Sequence, residues 1–319
     1  MAIRLLHLKP GAYEDPLKAS LSHTDIYSAH DQYTALSYLW GTPAKSTADV
    51  SRIHIEGAYL EVWPNLSKAL RELRSESHTI TLWVDALCVD QSNMEEKSHQ
   101  IMLMTEIFSS AGLVHCWLGD ATEVSIIGLD ILSYLTSECP FDDAAPWSRL
   151  KTKTVMLGLQ DILERDYFRR IWIVQEAALG RRITLQAGHI NIQWEAGAEA
   201  SRFLRRIKLL EISPLWQASE FRNIDFRALR ELLEQSSAFR AKQGRSSNPS
   251  TWLDIVHTMR NMQSTDPRDK IYGLMGLASR EEVAGFVPDY NLSWEETYRR
   301  FYDQACRTAL RDPDRAMKR

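Results

Sequence analysis

Long apolar runs, clustered cysteines and the short catalytic signatures are all missing from this sequence, and each absence closes a class of explanation. No apolar stretch approaches the roughly 18 residues needed to span a bilayer, so no membrane span is expected. The apolar part of MAIRLLHLKPGAYED is too short for a secretory signal. Cys88, Cys116, Cys139 and Cys306 lie far apart with no CxxC pair. That spacing argues for reduced thiols and a cytoplasmic location, and against a disulfide framework or a zinc knuckle. There is no GxSxG, P-loop, HExxH or GxGxxG, no internal repeat and no low-complexity tract. Charge of one sign is lacking too: the net charge of −4 gives no global pull toward nucleic acid or an anionic membrane.

What is present is a globular composition, 44% apolar and 25% charged, over 319 residues. That length suffices for one large or two ordinary domains with a substantial core. The first two hundred residues alternate strand-like and helix-like segments. YTALSYLW (33–40) reads as a strand closing at Gly41, and RIHIEGAYLEV as a hairpin around Glu56-Gly57. NLSKALRELRSE has helical spacing. TITLWVDALCV (79–89) begins as a strand buried on both faces, and LVHCWLG reads as another. Between them SNMEEKSHQIMLMTEIFSSAG is a helix, with Ser92 and Glu95 as a capping box. A helix over 124–136 and a loop around 139–146 follow. RRIWIVQEAALG (169–180) reads as a helix apolar almost all round, and ITLQAGHINIQW as a hairpin at Gly188-His189.

This alternation predicts a doubly wound α/β sheet, mostly parallel, with hairpin insertions. From about residue 200 the pattern turns helical. The expected division is an α/β core over 1–200 and a helical extension over 201–319, packed on that core. Lys242 to Ser250 reads as a polar linker. Asp266 is a cap with Pro267 opening a helix, and Ser293 with Glu296 forms a second capping box. The charged tail RDPDRAMKR suggests a longer natural chain.

In open α/β sheets ligands bind where strands end and loops enter helices. Two such segments carry polar residues: Ser37-Tyr38-Leu39-Trp40-Gly41, and Asp85 to Gln91. Trp40 offers a flat face for a base and Gly41 a close backbone approach, although a core tryptophan beside an ordinary turn fits the local sequence as well. Asp85, Asp90, Glu95, Glu96 and His99 could be drawn as a metal cluster. Capping and the helix dipole explain the acids better, so no metal is expected. Cys88 has no nearby histidine and reads as an inert buried thiol.

Glu176 is the most unusual residue. Trp172, Gln175, Glu176 and Leu179 share one helical face by their spacing. A desolvated carboxylate there can have a raised pKa and act as acid, base or nucleophile. It can equally be a structural acid paired with Arg169, Arg170 or Arg181, and the periodicity leaves both readings open.

Together YTALSYLWG, LWVDALCVDQ with EEKSHQIMLM, HCWLG, FRRIWIVQE and DPRDKIYGLMGLA resemble the fungal heterokaryon incompatibility (HET) domain, in its order, over about residues 33–300. Thr42, where an acid is common, and Asp90, where asparagine is usual, depart from the pattern. The resemblance implies a role in non-self recognition and programmed death of fused fungal cells. The HET domain in turn resembles Toll/interleukin-1 receptor (TIR) domains, which implies a TIR-like, flavodoxin-like fold. In TIR enzymes a glutamate in the block resembling FRRIWIVQE cleaves NAD at the nicotinamide–ribose bond, and it falls on Glu176. The resemblance therefore implies NAD or a related nucleotide as substrate, with no cofactor. Ser37, Tyr38, Trp40, Gly41, Asp85, Gln91, Trp172 and Gln175 would line its site. Self-association and an upstream recognition protein are the implied partners. A non-enzymatic signalling module and a nucleoside or nucleotide N-glycosidase are the alternatives.

Overall fold

The computed structural model of the protein describes residues 1–41, 50–137, 145–195, 198–212, 214–217, 220–243 and 251–311. Thr42, Cys139, most of the 139–146 loop, most of the 242–250 linker and the tail beyond residue 311 lie outside these residues.

Among the described residues nine strands form one sheet. They are β1 (Ala2–Leu8), β2 (Leu17–Asp25), β3 (Thr34–Tyr38), β4 (Ser51–Ile55), β5 (Ala58–Val62), β6 (Ile80–Trp83), β7 (Leu113–Trp117), β8 (Arg182–Ala187) and β9 (Ile190–Glu195). The helices before β8 are α1 (Pro64–Leu73), α2 (Asp85–Cys88), α3 (Met94–Ser110), α4 (Ser125–Thr136), α5 (Pro146–Arg149), α6 (Thr152–Leu163) and α7 (Trp172–Leu179). Beyond the sheet come α8 (Ala198–Glu211), α9 (Pro214–Gln217), α10 (Arg227–Gln243), α11 (Trp252–Thr258), α12 (Asp269–Tyr272), α13 (Arg280–Val283) and α14 (Trp294–Arg311).

The strand order is β5-β4-β2-β1-β6-β3-β7-β8-β9. β6, β3, β7 and β8 run parallel, pairing Ala35 with Trp83, Ser37 with Cys116 and Cys116 with Leu185. Near-continuous apolar runs make these strands, because both of their faces are covered. The fold is α/β, and the parallel pairings are this block and the separate β2–β4 pair. Antiparallel pairs flank the block, including the two expected hairpins, β4–β5 and β8–β9. The first hairpin turns on Glu56 and Gly57, both at positive φ, as a two-residue turn that matches strand twist demands. The β1–β2 ribbon, which the motif reading did not anticipate, inserts beside β6.

Helices cover both faces. Ser37 and Cys116 face Tyr167 and α7, whereas the next residue along β7, Trp117, donates its indole N–H to Asn65 of α1 at 2.8 Å. The connection leaving β3 passes through α1, and the one leaving β6 passes through α3, which packs against α7 on the opposite face. The carboxyl ends of β3 and β6 are therefore a topological switch point, where a crevice is expected.

Three local expectations are corrected. Asn93, not Ser92, caps α3: its side chain accepts from the N–H groups of Glu95 and Glu96, while the Ser92 hydroxyl donates to Asp90. α7 begins at Trp172 rather than Arg169. Residues 166–169 form a 3-10 turn, and Arg170 bridges to Gln263, so a tertiary pairing overrides helix propensity there. Asp266 accepts the N–H of Arg268, but the helix starts only at Asp269, two residues past Pro267.

α7 is buried at every position, between β3 and β7 on one side and α3 and α10 on the other. The residue after it, Gly180, is a glycine for lack of room and not for its φ: a Cβ there would stand 2.6 Å from a methyl of Val114. Side chains of α8 and α10, including Phe203, Leu229 and Leu233, join the same apolar core as the strands.

Candidate functional site

The carboxyl end of β3 presents Ser37 to one face and Tyr38 to the other. Ser37, 1% exposed, donates its hydroxyl to Oε2 of Glu176, itself 4% exposed. With that proton committed to an ionised Glu176, the Tyr167 hydroxyl donates to Ser37 Oγ at 2.7 Å. Tyr167 is buried in the turn before α7, so the whole chain of hydroxyls is screened from water.

Arg170 supplies the nearby cation. Its guanidinium donates to the Tyr38 carbonyl at 2.7 Å and lies 4.0 Å from Oε1 of Glu176. Of the arginines that the sequence offered Glu176, Arg169 instead approaches Asp166 and Arg181 pairs with Asp31. The Arg170 contact is long for an ion pair, and burial wins. Desolvation pushes the Glu176 carboxyl up to about 7, against the pull of Arg170 and Ser37 and with a push from the Asp85 charge.

Asp85, first residue of α2 at the end of β6, completes the cluster. It accepts from the indole N–H of Trp40 at 2.8 Å, from the backbone N–H of Ala86 at 2.7 Å and from the Tyr38 hydroxyl. Burial raises its pKa, with Arg170 and these donors opposing. Two carboxylates thus share one guanidinium at the switch point. Burial raises the pKa of both, as it does for carboxylates at acid–base sites.

Of the residues singled out in the sequence, Ser37, Tyr38, Trp40, Asp85 and Glu176 meet here. Gln91 donates to the Asp85 carbonyl at 2.9 Å and so holds the loop rather than the carboxylate. Gly41, at φ 84°, follows Trp40 and lies against Asn65. Trp172 and Gln175 point elsewhere. Trp172 hydrogen-bonds Asp269 and packs against Gly273, and the Gln175 side chain accepts the N–H of Gly276 at 3.0 Å. Both therefore bind the DPRDKIYGLMG segment to α7. Trp172 is 9% exposed and offers no free face for stacking.

Sequence reasoning missed three contributors. Tyr167 is one. Asn65 is another: it donates to the Leu39 carbonyl at 2.6 Å while accepting from Trp117, which fixes the exit of β3. The third is Trp63, whose ring lies 6.5 Å from that of Trp40, so that two half-buried indoles stand together beside Asp85. Their signal was an aromatic–Pro–Asn start to α1, which reads only as a helix opening.

The metal arrangement does not form. Asp90 accepts from Ser92, Glu96 pairs with Arg4, and among the described residues no three His, Cys, Asp or Glu side chains come together as a metal site. Burial pushes the Cys88 thiol up to about 12, in keeping with an inert core residue. A cavity of about 530 Å³ opens at the opposite end of the sheet, at the starts of β3, β6, β7 and β8, and is lined in part by Asp31, Thr34, Thr81 and Arg182. It lies at the other end of the parallel strands from Glu176 and Asp85, and neither carboxylate lines it. No described helix is long and apolar enough to cross a membrane.

The family model described as heterokaryon incompatibility protein (HET) matches residues 33–176. Its limits fall on the residue before β3 and on Glu176 itself. The chain is 26% identical to heterokaryon incompatibility protein 6, OR allele, of Neurospora crassa, over 91% of this chain and 49% of that protein. The chain thus spans about half the length of the curated relative that it matches. No solved structure matches it.

Proposed function

We propose that this chain, whose residues 33–176 match the heterokaryon incompatibility model, acts in fungal non-self recognition as a TIR-like NAD glycohydrolase with Glu176 as its catalytic carboxylate. The observation that carries this reading is the state of that carboxyl. It lies against the carboxyl end of β3, hydrogen-bonded to Ser37 and pushed up to about 7 by burial. Cleavage of the nicotinamide–ribose bond sends the bonding pair to nicotinamide and leaves an oxocarbenium-like ribose. A carboxylate beside that ribose stabilises the positive charge or holds its hydroxyls, and water then adds at the anomeric carbon with loss of a proton. Nicotinamide and ADP-ribose are the products. In this reading Trp40, beside Trp63, supplies an aromatic face for a base, and Asp85 of α2 stands on the ribose side.

Glu176 is closed off at 4% exposure, so turnover requires the Arg170–Tyr38 side of the cluster to open. The same closure favours a second reading, in which Glu176 is a structural centre of a non-enzymatic, self-associating signalling module. Nicotinamide release from NAD, followed over a range of protein concentrations, separates the two. The first reading expects release that is lost in Glu176→Gln. Release that persists in that variant removes Glu176 from catalysis. No release at any concentration, with cell-killing activity kept by Glu176→Gln, establishes the second.

A further inference from the structure

We propose that the outer face of α14 is a dimerisation surface, occupied by α14 of a second copy of this chain running antiparallel. The inner face of this helix is anchored. Phe301 packs edge-on against Trp252 with ring centroids 4.7 Å apart, fully buried Thr297 bonds the Tyr272 hydroxyl, and Gln304 donates to the carbonyls of Glu282 and Ala284. The opposite face therefore belongs to a fixed helix.

That face carries two adjacent rows at four-residue spacing. One is Trp294, Tyr298, Tyr302 and Cys306; Trp294 is 50% and Tyr302 65% exposed, and Trp294 meets Tyr298 edge to face. Large exposed aromatics aligned on one helix face are costly in water and mark contact surfaces. The neighbouring row is Glu295, Arg299, Asp303 and Arg307, all exposed, with signs that alternate −, +, −, +.

The alternating row decides the occupant and its direction. Read backwards, the row is +, −, +, −. Two copies laid antiparallel therefore oppose Glu295 to Arg307 and Arg299 to Asp303, each pair occurring twice across the two-fold axis. A parallel arrangement about a two-fold axis, which is held in register, would set like charge on like. Helices whose i±4 rows interlock cross at about −50°, and that crossing brings such rows alongside one another. The row from 295 to 307 is about 18 Å long, enough for all four pairs to engage. Arg299 already pairs with Glu296 on its own helix, so forming the dimer exchanges that contact rather than ordering a free side chain. The aromatic row supplies the apolar area beneath the charges.

Sedimentation of the full chain across a concentration series tests this. A reversible dimer is expected, weakening as salt is raised because its exposed pairs are screened. Asp303→Arg should weaken it by about tenfold or more, since it sets Arg299 against a new cation twice. Arg299→Asp alone should do the same. The exchanged variant Arg299→Asp with Asp303→Arg restores both pairs and should return the affinity to near that of the unaltered chain. Tyr302→Ala should weaken the dimer with the far-ultraviolet circular dichroism unchanged. A chain that stays monomeric at high concentration, a dimer indifferent to Asp303→Arg, or an exchanged variant that fails to recover would each overturn the proposal. A dimer strengthened by Asp303→Arg would overturn it as well.

Discussion

The Ser37 hydroxyl donates into the carboxylate of Glu176, joining the end of β3 to a buried helix 139 positions later in the chain. Glu176 has no short ion pair to compensate for its burial, since Arg170 stands 4.0 Å away and also serves the Tyr38 carbonyl. The interior therefore holds a carboxyl that gives up its proton late. That property is measurable whether or not the protein is an enzyme.

Stability should fall with rising pH through Glu176. Its folded pKa is raised from 4.5 to about 7, so between those values the unfolded chain has released a proton that the folded chain retains. The penalty begins near the lower value and is complete above the upper one; at about 1.4 kcal/mol per pH unit it amounts to about 3 kcal/mol. Glu176→Gln carries no titrating group there. Its denaturation midpoint relative to the unaltered chain should improve steadily across that window, and a flat difference would mean that Glu176 titrates as an ordinary surface acid.

Arg170→Met removes the guanidinium that faces both Glu176 and Asp85. The Glu176 pKa should rise above about 7, because the largest opposing influence is gone. The Tyr38 carbonyl loses its donor, and the fold should lose about 1–3 kcal/mol. A carboxyl-carbon NMR titration reads the first effect and urea unfolding the second. A lowered Glu176 pKa would contradict the assigned geometry.

Gly128→Ala should destabilise by about 2–3 kcal/mol, as overpacking at a closed contact does. The added Cβ would lie 2.1 Å from the carbonyl oxygen of Gly158, backbone against backbone where α4 crosses α6, so no side chain can rotate to make room. Thermal unfolding measures it, and an unchanged midpoint would mean that the two helices sit farther apart than described.

Thiol labelling should divide the cysteines. Cys88 and Cys116 are buried, and burial pushes each up to about 12, so both should stay unlabelled at mildly alkaline pH until the chain unfolds. Cys306, half-buried on α14, should react in the folded protein. Peptide mapping after brief exposure to a maleimide distinguishes them, and early labelling of Cys116 would contradict its position beside Ser37 and Tyr167.

Much of the fold was legible because its signals are local. Glu56-Gly57 and Gly188-His189 announced their hairpins, since a two-residue turn places its demands on those residues alone. The apolar runs at 80–83 and 113–117 marked strands covered on both faces. The β1–β2 ribbon was less legible, because its residues are buried against partners that lie far along the chain. The start of α7 was misread for a similar reason, its first turn being drawn off by Gln263.

The candidate site divides along the same line. By itself the sequence determined that a carboxylate, Glu176, lies within an apolar helix, and that Ser37, Trp40 and Asp85 sit at strand ends, since residue type and periodicity are properties of short segments. Helical spacing also grouped Trp172 and Gln175 with Glu176, and only the tertiary structure separated them. α7 is buried all round, so each of its sides meets a different partner: Trp172 and Gln175 meet the 269–276 segment, and Glu176 meets β3. Which arginine stands near the carboxylate, at what distance, and how high its pKa is driven are decided by contacts between chain segments more than a hundred residues apart. No local pattern encodes them, because desolvation is a property of everything packed around a group and not of its neighbours in sequence.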